Sequence, residues 1–357
     1  MSPLTLEDLH PGTDHERVVF CRDPEAGYRA VIAIHSTAAG PAVGGTRLWS
    51  YAREDDALTD ALRLSRGMTY KNAMAGLPLG GGKSVILSEA GSDREAMLAA
   101  HGRAIERLGG EYVAGEDVGT GPADMAILRR ETRHVAGLPG QSGDPSPSTA
   151  HGVVRAIRAA ALHRWGSDEL KGRTIAIQGC GHVGLHLARE LAALGARLRV
   201  SDLDAERVRQ VIETAGAEGV APEAILDTAA DLFAPCALGG VLNAETIPLL
   251  QVAVVAGAAN NQLREPGDGY RLRERGILYA PDYVVNAGGV ISGGGRELLG
   301  WSEAETRQRV EGIYDTLLAV LRRAEAEDLP PHAAADRLAE ERLSDLRNPR
   351  RTRGGGE

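Results

Sequence analysis

Three residues of this chain have the chemical types and surroundings needed to move protons: Lys71, Lys83 and Asp117. Lys83 follows Gly80-Gly-Gly82, Lys71 closes a helix-patterned stretch that carries Met68, and Asp117 lies in Glu116-Asp117-Val-Gly119. A lysine in water stays protonated at neutral pH and is no base. Withdrawn from water beside a second ammonium, it loses its proton more readily and can accept one from a reactant. Three consecutive glycines present Lys83 on bare backbone, with little side-chain shielding, so that a closing cleft would desolvate it. Together the three groups could do three jobs: one lysine binds a carboxylate, the other activates water, and the acid carries protons to and from an amine. On residue types alone, the lysines equally fit solvated surface charges, and Asp117 fits a turn or cap residue. The triplet is not a phosphate loop of the Walker kind, which requires glycine where Leu77 stands.

A second constellation points to a dinucleotide. Gly179-Cys-Gly181-His-Val-Gly184 follows an apolar strand pattern and opens a helix pattern with Val183, Leu187, Leu191 and Leu194 on one face. In that context the first glycine permits the turn, the second admits a diphosphate, and the third lets helix pack on strand. The helix N-terminus adds partial positive charge. Gly179, Gly181, His182, Val183 and Gly184 are therefore the expected cofactor contacts. Asp202 ends the next strand, where a carboxylate accepts both ribose hydroxyls and repels a 2′-phosphate, favouring NAD over NADP. The alternative is a glycine turn in a sheet that binds nothing.

The elements that must hold these groups read as α/β throughout. Strands are expected at residues 29–35, from Lys83 through Leu87, at 174–178 and at 198–200, with short apolar runs at 231–235, 252–256 and 277–280. Helices are expected at 55–75, at 150–163 and at 333–346. A long one opens at the capping box Ser302-Glu-Ala-Glu305, with Val310, Ile313, Leu317 and Leu321 as its buried stripe. Strands alternating with helices imply a parallel sheet covered on both faces. A Gly/Pro/Ser/Asp-rich stretch at residues 141–148 reads as a linker, and residues 140–147 as a hinge region.

Length and charge bound the rest. At 357 residues the chain suits two domains. A formal net charge of -9 disfavours nucleic acid and anionic membrane as partners. The basic run at residues 347–353 reads as a solvated tail. Residues 1–10 show no secretory pattern, and no apolar run is long enough to span a membrane. Cys21, Cys180 and Cys236 are odd in number and far apart, which argues against a disulfide framework or a cysteine metal site. No metal is assigned, and a reducing cytoplasm is the expected location.

Seven ordered segments carry a resemblance: Gly44-Gly-Thr-Arg47, Gly67-Met-Thr-Tyr-Lys71-Asn72, Leu79-Gly-Gly-Gly-Lys83, Glu116-Asp-Val-Gly119, Pro235-Cys-Ala-Leu-Gly-Gly240, Gly257-Ala-Ala-Asn-Asn-Gln262 and Ala280-Pro-Asp-Tyr-Val-Val-Asn-Ala-Gly-Gly289. Over roughly residues 15–345 the chain resembles the leucine/phenylalanine/valine dehydrogenases, relatives of glutamate dehydrogenase. The resemblance implies two domains with a cleft between them. One is a discontinuous substrate and oligomerisation domain (1–140 with 328–357), and the other is a Rossmann-type NAD domain (141–327). It implies oxidative deamination of an L-amino acid to a 2-oxo acid, ammonia and NADH, in a homo-oligomer, dimer or octamer. Lys71 would hold the substrate carboxylate with Asn260 or Asn261, Lys83 would activate water, and Asp117 would transfer protons at the amine. Gly44, Gly45 and Met68 would also contact substrate. Thr149, Ala237, Ala258, Asn260, Asn261 and Asn286 would line the nicotinamide end.

The side-chain pocket is expected at Val43, Gly115, Val290 and Gly293, none of which supplies a cation for a glutamate side chain. Glycine at 115 and 293 would enlarge it, and Gly295-Arg-Glu-Leu-Leu-Gly-Trp-Ser-Glu303 looks like the phenylalanine version of that stretch. These features place phenylalanine, or a broad aromatic and aliphatic range, ahead of a leucine/valine specificity. For Gly293, Gly294 and Gly295 the other reading is a mobile loop away from the pocket. A catalytically silent NAD-binding protein would not need Lys71, Lys83, Asp117 and both asparagines together. An amine dehydrogenase would not need Lys71 and Asn260.

Overall fold

The computed structural model describes residues 13–88, 91–138 and 143–347. The expectations for residues 1–10, for the basic tail beyond residue 347, and for the hinge at 140–142 lie outside the described residues. Two compact units emerge. The first runs to Gly143 and adds Glu297–Leu299 and the chain from Glu340. The second comprises Asp144–Arg296 and Gly300–Ala339.

The first unit is built on five strands: β1 (Arg17–Asp23), β2 (Tyr28–Ser36), β3 (Ala42–Trp49), β4 (Gly80–Leu87) and β5 (Tyr112–Glu116), in the order β1-β2-β4-β3-β5. The sheet is mixed: β1 with β2 and β2 with β4 are antiparallel, whereas β3 runs parallel to both β4 and β5. The antiparallel pairs are confined to this edge, where hairpin-like connections near the N-terminus bring β1 and β2 back alongside each other, and the expected parallel pairing is found in the rest of the sheet and in the second unit.

Strand periodicity assigns the two faces of β4. Val85 and Leu87 join Val31, Ala33, Ala57, Leu58, Ala61 and Leu62 in a cluster under the helix Glu54–Met74. Ile86 faces the opposite cluster with Ile32, Ile34, Tyr112, Leu98 and Leu128, under the helices Arg94–Glu106 and Pro122–Glu131. From Glu340 the helix Pro331–Arg347 belongs to this unit: Arg342 donates to the carbonyls of Ala73 and Met74, and Tyr70 donates to Glu340. The last carbonyls of the Glu54–Met74 helix, otherwise without intrahelical donors, are thereby satisfied.

The second unit holds six parallel strands: β6 (Thr174–Gln178), β7 (Arg197–Ser201), β8 (Glu218–Gly219), β9 (Leu232–Pro235), β10 (Val254–Val255) and β11 (Leu278–Tyr279). Their order, β11-β10-β9-β6-β7-β8, places the reversal of winding between β6 and β9. That is the doubly wound arrangement in which ligands bind beyond the strands' C-terminal ends. Helix Ser146–Trp165 lines the unit with Ala156, Ala159, Ala160 and Ala161 fully buried, which permits close packing on His182–Ala193 and Ile313–Ala326.

Two helical expectations change in detail. The Ser302 capping box forms, but its helix ends at Glu311 and a second begins at Ile313 after Gly312. All four stripe residues are buried nonetheless. Gly293, Gly294 and Gly295 lie within the helix Gly288–Leu298 and not in a loop, and a β-carbon at Gly295 would overlap the Trp301 ring. Among the described residues, no helix is long and apolar enough to cross a membrane.

Candidate active site

In the first unit Lys83 and Asp117 form a direct ion pair, Nζ to Oδ1 at 2.8 Å. Lys83 is only 4% exposed, so it is neither a surface charge nor a lysine raised on open backbone. The glycine triplet before it has a different purpose from the one expected. β-Carbons at Gly80 and Gly81 would overlap the Ser36 carbonyl and Thr69, and one at Gly82 would come within 2.7 Å of the Tyr112 ring. The triplet lets β4 lie tightly between the Thr69 helix and Tyr112, and that packing desolvates the neighbouring lysine. Gly45 serves the same end from β3, where a β-carbon would meet Asp117 Cβ at 2.7 Å and Lys83 Nζ at 3.2 Å.

Burial pushes the Lys83 pKa down, and the Asp117 charge only partly restores it. For Asp117 burial works against ionisation, but Lys83 and then Arg47 overcome it and hold the carboxyl below its usual range. Arg47 Nε lies 2.9 Å from Asp117 Oδ2, and its guanidinium also reaches Asp60 Oδ2 at 2.8 Å. The Asp117 amide is held by the Thr120 hydroxyl at 3.0 Å. Arg47 lies in a quoted motif yet received no role from sequence. The signal available was its alternation with Val43 and Gly45 on one face of β3.

Beneath the pair runs a buried polar chain. Tyr28 meets His101 Nδ1 at 2.7 Å, His101 Nε2 meets Ser84 Oγ at 3.0 Å, and Ser84 donates to Thr46 at 3.1 Å. Tyr112 donates to the Gly44 carbonyl at 2.8 Å. This chain fixes β3 against β4 from the far side, and sequence reasoning missed it because its members come from five separate elements. Lys71 occupies the last turn of the Glu54–Met74 helix, on the covering side of the sheet, and is half-buried. Met68 and Val43 are also half-buried, and a β-carbon at Gly115 would meet nothing within 4 Å.

In the second unit the glycine fingerprint adopts the expected local structure. Gly179 takes φ +104°, and a β-carbon at Gly184 would overlap the Gly179 carbonyl. Gly181 caps the helix His182–Ala193 with open space where a side chain would be, no side-chain cap and no acid in the first turn. First-turn amides so left are suited to an anionic diphosphate. His182 is exposed, 3.7 Å from Asp144, and Val183 is half-buried. Asp202 accepts from the Cys180 amide at 2.7 Å and the Asp204 amide at 2.9 Å, so it is fixed beside the loop.

Past β9 and β10 two loops interlock. The Gly240 amide donates to the Asn261 carbonyl at 2.7 Å, and Asn286 donates to Asn260 Oδ1 at 2.9 Å and to the Ala258 carbonyl at 3.1 Å. Asn261 takes the left-handed φ of 52°. Asn286 Oδ1 is buried with no partner among the described residues, an acceptor to which a carboxamide N–H could donate. Ala237 is exposed, and Thr149 lies in the first turn of its helix, against Gly289. Val290 and Gly293 share the helix Gly288–Leu298, and the space beside Gly293 is open. Open loop backbone, a fixed acid and an unpartnered carboxamide acceptor fit a nicotinamide dinucleotide.

Known proteins resemble this chain over nearly its whole length. Residues 15–134 match the model for the Glu/Leu/Phe/Val dehydrogenase dimerisation domain, and residues 198–351 match that for glutamate/leucine/phenylalanine/valine dehydrogenase. A leucine dehydrogenase from Geobacillus stearothermophilus is 51% identical over 341 residues, 94% of this chain and 93% of its own. A valine dehydrogenase from Streptomyces albus is 49% identical over 344 residues, 93% of each chain. The crystal structure of L-tryptophan dehydrogenase from Nostoc punctiforme superposes with a TM-score of 0.85 at 43% identity, over 94% of this chain and 97% of that one. These relatives favour the branched-chain alternative over the phenylalanine-first order suggested by Gly115 and the Gly295 stretch. A buried lysine–aspartate pair in one unit and a dinucleotide loop in the other thus stand on a chain that belongs to the glutamate/leucine/phenylalanine/valine dehydrogenase family and is an amino-acid dehydrogenase.

Proposed function

We propose that this enzyme oxidatively deaminates a branched-chain L-amino acid, leucine or valine, to the 2-oxo acid and ammonia, with NAD as hydride acceptor. The observation that carries the reading is the desolvated Lys83–Asp117 pair, 2.8 Å apart. Lys71, with Asn260 or Asn261, holds the substrate carboxylate. Asp117, kept ionised by its cations, takes a proton from the substrate ammonium, and the free amine can then release hydride from the α-carbon. NAD, when bound, accepts that hydride. The substrate is left as an iminium. Lys83, its basicity lowered by burial, removes a proton from water as the oxygen attacks that carbon. Asp117 returns its proton to nitrogen and then takes the hydroxyl proton of the carbinolamine as the C–N bond breaks, releasing ammonia and the oxo acid.

Gly179, Gly181, His182, Val183, Gly184 and Asp202 would hold the dinucleotide. Thr149, Ala237, Ala258, Asn260, Asn261 and Asn286 would hold its nicotinamide end. Gly44, Gly45, Met68, Val43, Gly115, Val290 and Gly293 would surround the substrate. The assembly is taken as a homo-oligomer, in keeping with a first unit that matches a dimerisation domain. The branched-chain reading rests on the leucine and valine dehydrogenases, each matched at about half identity.

The open space beside Gly115 favours a second reading, a tolerant site that also admits aromatic side chains. Measuring kcat/KM for L-Leu, L-Val, L-Phe and L-Trp with NAD tests both. Leucine or valine should lead, with phenylalanine lower by about tenfold, the discrimination one or two methylenes can supply. Phenylalanine or tryptophan ahead by that margin would overturn the branched-chain assignment.

A further inference from the structure

We propose that Arg47 is a positioning residue for the proton chemistry, holding Asp117 so that one carboxylate oxygen stays on Lys83 while the other is pinned away from it. This rests on the deamination reading above. The geometry is specific. Arg47 Nε meets Asp117 Oδ2 at 2.9 Å while Lys83 Nζ meets Oδ1 at 2.8 Å, so the two cations divide the two oxygens between them. A second guanidinium nitrogen meets Asp60 Oδ2 at 2.8 Å, and Tyr51 donates to that same oxygen at 2.7 Å. Arg47 is therefore braced from behind. Its planar fork can serve two carboxylates at fixed angles, which a lysine ammonium does not reproduce.

The arrangement follows from strand register. Val43, Gly45 and Arg47 alternate on one face of β3, and Gly45 is paired with Gly115 on β5. Two residues further along come Arg47, still on β3, and Asp117, the first residue beyond β5. With no side chain at Gly45, the space between Arg47 and Val43 is left to Lys83 Nζ and Asp117 Cβ. Asp117 must both accept and return a proton during turnover. A carboxylate held only by Lys83 could turn both oxygens onto that ammonium and hold it protonated.

The charges around Asp117 are Lys83 from β4, Arg47 from β3, and Asp60 beyond Arg47 on the covering helix, which also carries Lys71. Glu116 is its chain neighbour, and the hydroxyls of Tyr51 and Tyr112 complete the set. Arg47 is the cation whose removal leaves Lys83 in place. Losing it raises the proton affinity of both Asp117 and Lys83, because each loses a nearby positive charge.

The test compares Arg47→Gln and Arg47→Lys in the full-length enzyme, with folding checked by near-ultraviolet circular dichroism. In Arg47→Gln the acid-side inflection of the kcat–pH profile should move up by about one unit or more, the effect of one nearby charge. In the same variant kcat should fall by about tenfold or more, with NAD affinity unchanged. Arg47→Lys keeps the charge and should restore the inflection while kcat stays low, since a single ammonium cannot hold both acids. Should Arg47→Gln fail to fold, Arg47→Lys alone decides, because the proposal requires its kcat to fall with NAD affinity unchanged. A folded Arg47→Gln with native kcat and native pH profile, or Arg47→Lys with native kcat, overturns the positioning role. Absence of amino-acid-dependent NADH formation in the wild-type enzyme would instead overturn the deamination reading itself.

Discussion

The two units make opposite uses of glycine. Around Lys83 in the first, glycine brings backbone and side chains so close that water is squeezed out: Gly80, Gly81, Gly82 and Gly45 are all in tight contact. At the dinucleotide loop of the second, Gly181 leaves a space open and first-turn amides without a side-chain cap. One region prepares charge by removing solvent, and the other prepares a cradle by removing a side chain. A run of glycines therefore does not announce its purpose. What decides is whether the neighbours brought by the rest of the chain fill the gap.

The largest effect on the second region should come from Gly184→Val. Its side chain would strike the Gly179 carbonyl, forcing helix from strand, so NAD affinity should fall about ten- to a hundredfold, the range expected of overpacking by one to three kcal/mol. Titration of NAD by protein fluorescence measures this, and native affinity would break the contrast between the regions. Asp202→Ala should act less strongly, weakening NAD about tenfold through lost ribose hydrogen bonds and narrowing the gap to NADP. An unchanged NAD/NADP ratio of kcat/KM would move that discrimination to another residue.

The smallest effect on activity should come from the first region's foundation. Burial lowers the His101 pKa to about 3, and burial with the neighbouring His35 lowers that of His15 to about 4. Both rings are neutral in the folded protein, whereas in the unfolded chain they bind protons near the usual histidine value. As pH falls from about 6.5, the unfolded state gains protons that the folded state does not, so stability declines. His101→Leu takes the ring partner from the buried Tyr28 hydroxyl, while Ser84 keeps Thr46 and Tyr112, and should cost about 1–3 kcal/mol at pH 7. It should also flatten the loss between pH 7 and pH 5, read from urea midpoints. An equally steep decline in the variant would assign the acid sensitivity elsewhere.

Much of this was legible in the sequence, because local rules were enough. The strand Thr174–Gln178 and the Ser302 capping box follow from adjacent residues and stand where periodicity puts them. The triad Lys71, Lys83 and Asp117 could be nominated by residue type and family resemblance, and the first unit does bring Lys83 and Asp117 together. Arg47 shares a face of β3 with Val43 and Gly45, which alternation can suggest, but its pairing with Asp117 depends on the β3–β5 register, which it cannot. The tightness of Gly81 and Gly82 was invisible for a related reason: Thr69 and Tyr112, which fill the space, come from other elements. The antiparallel β1 and β2 were hidden too, because alternation reveals a strand's faces but not its partner's direction.

Whether the buried Lys83 amine acts as the base is decided by Lys83→Ala, with turnover and NAD binding measured on the same sample. In that variant kcat should fall by about a hundredfold or more, the contribution of a positioned general base, while the dissociation constant for NAD stays within about twofold of native. Near-native kcat in a folded Lys83→Ala enzyme would contradict that role, since the desolvated amine beside Asp117 would then take no part in the chemistry.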